Sequence, residues 1–254
     1  MTNLKGKTAL ITGASRGIGE ATAREFAKLG ANVVLAARSG DAIEKIAADL
    51  RNDGANAIAV KCDVANYSNV EAAVNACISN FASIDILINN AGLIDPIARL
   101  ADSDPEQWGQ VVDVNLKGVY YALRAAIPHM EEQGSGTIIN ISSGAATSAL
   151  EGWSHYCSTK AAVLSLTQCT HKECSENGIY IAGLSPGTVA TNMQVSIKAS
   201  GINPVSQMDP SVHIPASWPA RAIAWLCANQ PEQFAGTDFK LNTDENRKLV
   251  GLIS

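Results

Sequence analysis

The sequence predicts an α/β fold: a doubly wound parallel sheet of about seven strands with helices on both faces. Short β-rich runs recur at steady intervals with helix-period patterns between them, the alternation that builds a parallel sheet. Several of these runs are apolar throughout, as strands covered on both faces require, whereas a one-sided antiparallel sheet would alternate apolar and polar residues. Length and composition agree, because 254 residues of which 46% are apolar can fill a core and exclude a disordered chain.

The first strand is expected at Thr8 to Thr12, and the helix after it carries the stripe Ile18, Thr22, Phe26 and Leu29 with Gly30 at its left-handed cap. Strands at Asn32 to Ala36 and Ala57 to Lys61 flank a second helix bearing Ile43, Ala47 and Leu50. Ser68, with Glu71 in the capping-box position, is expected to open a third helix bearing Val70, Val74, Cys77 and Ile78. A fourth strand at Ile84 to Asn89 precedes helix from about Pro105 to Glu131, in one or two pieces. Strands at Thr137 to Ile141, Ile179 to Leu184 and Thr237 to Leu241 follow, with helices near Tyr156 to Asn177 and Ala216 to Ala228 between them. Gly187 to Pro215, with its immediate neighbours, holds four of the nine prolines and supports neither strand nor long amphipathic helix. It is read as a mobile substrate lid at about 187–215 on a single domain spanning 1–254, since some 40 residues after it are too few for a second α/β domain.

Nineteen basic against 24 acidic residues give a net charge of −5, so no global positive field draws nucleic acid or an anionic membrane. No apolar run approaches the roughly 18 residues of a membrane span, and Thr8 to Thr12 is too short for a signal h-region, so a cytoplasmic protein is expected. The six cysteines form no CxxC pair and the four histidines lack HExxH or zinc-finger spacing; no metal is expected unless distant ligands assemble one.

Directly after the first strand stands Thr12-Gly13-Ala14-Ser15-Arg16-Gly17-Ile18-Gly19, leading into a helix. Gly13 and Gly17 let the backbone approach a pyrophosphate, Gly19 permits close helix-to-strand packing, and the helix N-terminus presents N–H groups to negative charge, as in a Rossmann-type sheet. Where such sheets carry an acidic residue for the adenosine ribose, this chain has Ala37 followed by Arg38. An Asp would repel a ribose 2′-phosphate and a guanidinium binds one, so NADP is favoured over NAD, with Arg16 as a second cation.

Tyr156 and Lys160, four apart at the start of a helix, share one face about 5 to 6 Å apart. Chance supplies roughly 0.2 such pairs in a chain of this composition, so the pair gains meaning from Ser142 and Ser143, which end the preceding strand at the edge where these sheets bind ligands. An ammonium about 5 Å from the phenol is expected to lower its pKa by roughly two units. A ketone accepting hydride develops an alkoxide, for which Tyr156 supplies a proton and Ser143 a fixed hydrogen bond.

Together these residues resemble the short-chain dehydrogenase/reductase superfamily in its compact single-domain form, over nearly the whole length. The motifs are Thr12 to Gly19, Asn89-Asn90-Ala91-Gly92, Asn115 within Asp113-Val114-Asn115, Ser143 with Tyr156 and Lys160, and Pro186-Gly187-Thr188-Val189-Ala190-Thr191. The resemblance implies that Tyr156 donates or accepts the proton, Ser143 orients the carbonyl, Lys160 tunes Tyr156 and binds the nicotinamide ribose, and Asn115 holds a water of a proton relay. It further implies that the Gly13 to Gly19 turn, with Ser15 and Ile18, holds the pyrophosphate. Asp63 and Val64 would border the adenine, Asn90, Ala91 and Gly92 the adenine ribose, and Pro186, Gly187, Val189 and Thr191 the nicotinamide carboxamide side. A homodimer or homotetramer is implied as well, although Phe239 to Asp244 departs from the glycine-rich turn usual in the family.

Ile94, Ala145, Leu150, Trp153, Met193, Val195, Ile202 and Met208 suggest an apolar substrate wall, with His155 and Lys198 as polar candidates and His155 read as a solvated neighbour of Tyr156. The expected partner is therefore a small to medium, largely neutral carbonyl or alcohol. A sugar-nucleotide epimerase needs a larger C-terminal domain than this chain has room for. A catalytically silent NADP-binding regulator has no chemical reason to keep Ser143, Tyr156 and Lys160.

Overall fold

A computed structural model describes residues 2–254, in which strand and helix alternate from the start. β1 (Thr8–Thr12), α1 (Gly17–Lys28), β2 (Asn32–Ala37), α2 (Gly40–Asn52), β3 (Ala57–Lys61), α3 (Tyr67–Phe81) and β4 (Ile86–Asn89) make the first half. α4 (Pro105–Val112), α5 (Gly118–Gln133), β5 (Gly136–Ile141), α6 (Ser154–Cys174) and β6 (Ile179–Ser185) follow. The chain closes with α7 (Asn192–Ser200), α8 (Pro204–Gln207), α9 (Ser217–Asn229), β7 (Asp238–Lys240) and α10 (Asp244–Leu249). All seven strands are parallel, in the order β3-β2-β1-β4-β5-β6-β7. The order reverses at β1, which pairs with both β2 and β4, so a ligand crevice opens at the carboxyl ends of β1 and β4.

The continuous apolar runs serve two cores at once. Ala9, Ile11, Val33, Leu35, Ile139 and Ile141 point to one face of the sheet, and Leu10, Val34, Ala36 and Ile138 to the other. α1, α2 and α9 close the first face with Phe26, Ile43 and Ile223; α3, α5 and α6 close the second with Val74, Ala126 and Val163. Each large side chain removed from water in this way contributes about 1.5–3 kcal/mol.

Several boundaries differ from expectation for identifiable reasons. α3 starts at Tyr67 because Asn66 is its cap: its side chain accepts from the Asn69 N–H and from the Ser68 hydroxyl, which places Ser68 inside the first turn. β4 begins at Ile86, since Ile84 gives its N–H to the Gln133 side chain. β7 shrinks to three residues as Thr237 closes a turn onto Phe234. The helix expected from Pro105 to Glu131 is two helices joined by a π-helical turn, Asp113–Lys117, which carries Asn115. Gly187 to Pro215 is more regular than its prolines suggest. It holds α7, ended by left-handed Gly201, and α8, capped by Asn203, and a strand-like bridge between Val189 and Ile214 ties its two ends. Among the described residues no helix is long and apolar enough to cross a membrane.

Candidate active site

The glycine turn lies in the crevice and fits a dinucleotide. Gly13 holds a φ of 63°, and a Cβ there would lie 2.8 Å from the Ala91 backbone; a Cβ on Gly19 would run into the Gly13 carbonyl. Arg16 is the N-cap of α1 in extended backbone and gives no side-chain cap, so the first-turn N–H groups have no side-chain acceptor and suit an anion. Ser15, Gly17 and Ile18 complete this turn at partial exposure. Two side chains fasten it to the end of β4. Thr12 Oγ1 accepts from the Asn90 and Ala91 N–H groups, and Asn90 Nδ2 donates to the carbonyls of Thr12 and Gly13 at 2.9 and 3.1 Å. Arg16 and Arg38 are exposed, and among the described residues neither enters an ion pair.

Asp63 follows β3 and turns onto the Ala65 N–H at 3.1 Å, while buried Val64 packs on Gly118, where a Cβ would come within 2.9 Å. After β6, Pro186 and left-handed Gly187 redirect the chain, Val189 is buried, and the Thr191 methyl reaches the position of Gly17. These residues from β1, β2, β3, β4 and β6 therefore line one edge of the sheet. Gly92 follows Ala91 there, its Cα side facing the Asn115 amide oxygen.

α6 brings Tyr156 and Lys160 to the same edge. Tyr156 is 8% and Lys160 5% exposed, with Lys160 Nζ 5.6 Å from the phenol ring centre. Ser143, just after β5, accepts from the Ala145 N–H at 3.1 Å and so caps the short turn Gly144–Ala146, with its hydroxyl near enough to the Tyr156 phenol to favour the phenolate. The expected lowering of the phenol is not met. Burial dominates and pushes Tyr156 up to about 12, with the nearby Ser143 hydroxyl acting against it. Lys160 is itself held down to about 8 by burial, opposed by the charge of Asp238, and donates to the Ile141 carbonyl at 2.6 Å. Desolvation is thus the largest influence on both groups.

Asn115 occupies the π-helical turn, where the extra residue swings its side chain across the loop after β4. It accepts from the Leu93 N–H at 2.7 Å, donates to the Leu93 carbonyl at 2.9 Å, and reaches Thr159 of α6 at 3.4 Å. Both ends of the amide are spent on holding that loop, so its side chain acts here as a clamp between β4, the π turn and α6.

Ile94, Ala145, Trp153 and Tyr156 form a separate apolar cluster with Leu150 and Met193 against it, as the sequence suggested. Two members differ. Val195 is 69% exposed, whereas Ile197, two residues later on α7, turns into the cluster at 2%. His155 is fully buried rather than solvated and donates Nε2–H to the Ile94 carbonyl at 2.6 Å. Lys198 binds the Met208 carbonyl within its own segment. Sequence reasoning also missed a buried polar chain beneath the site, from Asn89 to Asn140 to Thr167, and the carboxylate of Asp238 on Ser142. Asn140 carried a signal, being a lone amide in an apolar strand; Asp238, at a strand edge, carried none.

The short chain dehydrogenase family model matches residues 7–201. A 3-oxoacyl-(acyl-carrier-protein) reductase from Synechocystis is 36% identical over 96% of this chain and 92% of the relative. An uncharacterised oxidoreductase from Staphylococcus haemolyticus is 40% identical over 76% of this chain and 82% of its own length. Among solved structures, a short-chain type dehydrogenase/reductase from Mycobacterium marinum superposes with a TM-score of 0.86 at 29% identity, covering 94% of this chain and 95% of the other. A 3-ketoacyl-(acyl-carrier-protein) reductase from Brucella melitensis, complexed with NADH, gives 0.83 at 30% identity over 94% and 98%. The crevice that reads as a dinucleotide site and the Ser143–Tyr156–Lys160 cluster beside it thus have a shared ancestry to explain them: the chain is an oxidoreductase belonging to the short-chain dehydrogenase family.

Proposed function

We propose that the protein transfers hydride between NADP(H) and a small to medium, mostly apolar ketone or aldehyde, or the corresponding secondary alcohol. The observation that carries this is the buried Tyr156, its ring 5.6 Å from the Lys160 ammonium, within an apolar wall of Ile94, Ala145, Trp153 and Ile197 and beside Ser143. The nicotinamide, when bound, supplies or accepts the hydride at the carbonyl carbon. Ser143 hydrogen-bonds the carbonyl oxygen as negative charge grows on it, and Tyr156 delivers the proton that makes it an alcohol. A phenol held near 12 keeps its proton at neutral pH, which suits a donor in the reductive direction. Lys160 supplies the positive charge that stabilises the phenolate left behind, and is the residue that would hold the nicotinamide ribose. Asn115 keeps the loop after β4 in register with α6. Arg38 and Arg16, exposed and outside any ion pair among the described residues, support NADP. A lid role for 187–215 follows from Ile197 and Met193, which that segment lays against the apolar wall. Relatives named as 3-oxoacyl reductases make a 3-oxoacyl thioester the first substrate to test. An acidic cytoplasmic homodimer or homotetramer is the form we assign to it; Tyr120 of α5, 49% exposed, supports burying that helix in a partner.

Absorbance at 340 nm is followed with NADPH or NADH against a panel of ketones, aldehydes and alcohols. Tyr156→Phe should lose about 10²–10⁴-fold in turnover while cofactor binding persists. Equal turnover in both proteins would remove Tyr156 from the reaction.

A further inference from the structure

Asp238 stands outside the machinery described so far, yet its carboxylate crosses half the site to reach it. It lies on β7, at the edge of the sheet, in register with Gly183 of β6, which is in register with Asn140 of β5. Its Oδ2 accepts from the Ser142 hydroxyl at 2.6 Å. Ser142 follows β5, so the carboxylate has spanned the whole of β6. It can do so only because residue 183 is a glycine: a Cβ there would collide with Asp238 Oδ1. That second oxygen is buried and has no hydrogen-bond partner in the structure.

The residues around Ser142 are those that do the chemistry. Ile141 takes the Lys160 ammonium on its carbonyl, and Ser143 lies beside the Tyr156 phenol. The ionisable groups that face the cluster are Tyr156 and Lys160 from α6 and Asp238 and Lys240 from β7; β5 and β6 contribute only the uncharged Ser142, Ser143 and Gly183. Burial pushes Asp238 up from the ordinary carboxylate range, opposed by the Ser142 hydrogen bond and by the positive charges of Lys160 and Lys240.

We propose that Asp238 is a positioning residue that, through Ser142 and its own negative charge, anchors the Ile141–Ser143 corner and holds Lys160 in its ammonium form. Gly183 is then a required part of the same device, since any side chain there would displace the carboxylate. This rests on the reading of Tyr156 and Lys160 as the proton-transfer pair. The expected consequence is a wider working pH range: with the carboxylate present, Lys160 keeps its charge into mildly alkaline solution.

The test is Asp238→Asn, which preserves the acceptor for Ser142 and removes the charge. In full-length protein carrying ¹³C-lysine, with Lys160→Met used to assign the resonance, Lys160 should titrate near 8 in the wild type and measurably lower in Asp238→Asn. The alkaline limb of kcat for NADPH oxidation with acetoacetyl-coenzyme A should move down in pH together with it. Asp238→Thr, also uncharged, serves if the asparagine variant does not fold. A Lys160 midpoint and a kcat limb unchanged in either folded variant would overturn the proposal. Failure of both to fold would overturn it too, by assigning Asp238 to the fold alone. A wild type that reduces no carbonyl of the panel would sink the proton-transfer reading. An active wild type with unaltered lysine titration sinks only the role of Asp238.

Discussion

Replacing Lys160 by methionine should stop turnover and at the same time make the folded protein more stable at pH 7. Lys160 is 5% exposed, and burial has brought its pKa from 10.5 to about 8. At 1.36 kcal/mol per unit, that gap corresponds to about 3 kcal/mol of stability withheld below pH 8. Between pH 8 and 10.5 the native lysine is neutral while the unfolded chain still binds the proton, so stability rises with pH across this window and the penalty disappears above it. Methionine keeps most of the stem and removes the charge, but leaves the Ile141 carbonyl without the donor now 2.6 Å away, at a cost of about 1–2 kcal/mol. The net gain at pH 7 is about 1–2 kcal/mol, or a few degrees in Tm for a domain of this size. Near pH 10.5 the order reverses and wild type is the more stable by a similar amount. Urea unfolding of both proteins at pH 7 and 10.5, with refolding checked at each, measures the crossover. A variant less stable than wild type at pH 7, with the same pH slope, would refute the claim that the buried ammonium carries the cost.

Arg38→Asp should move cofactor preference toward NADH, with a loss of roughly 10- to 100-fold in NADPH affinity from one charge-assisted contact, read by fluorescence titration of both nucleotides; an unchanged NADPH/NADH ratio would count against NADP. Asn115→Leu removes two hydrogen bonds to the Leu93 main chain and should cost about 2–4 kcal/mol, measured by urea unfolding. Because the clamp also sets the loop after β4, turnover should fall more than the stability loss alone accounts for when assayed well below Tm.

Periodicity and turn chemistry made much of this molecule legible. Strands covered on both faces, such as Leu10 between Ala9 and Ile11, announce themselves by unbroken apolar runs, and Gly13, Gly17 and Gly19 mark a backbone approach that other residues would block. Local pattern was less informative where two candidates compete for one role. Asn66 and Ser68 are both good caps, and only the three-dimensional path of the chain after β3 selects Asn66. Val195 and Ile197 are both apolar on a short helix, and only packing shows which of them meets Tyr156. The phenol was misjudged for a related reason: a charge four residues away is visible in sequence, whereas the depth at which both groups are buried is a property of the fold. Asp238 is the extreme case, because its partner is 96 positions away and the space between them is provided by a glycine on a third strand.

The latch between Thr12 and Asn90 has a mechanical consequence. It rivets the carboxyl ends of β1 and β4 together and so ties down the floor of the crevice. In the lid role proposed above, entry and exit are governed from the Gly187–Pro215 segment, whose two ends are tied by the Val189–Ile214 bridge. Adaptation to a new substrate should accordingly accumulate between those ends, leaving the nucleotide seat untouched.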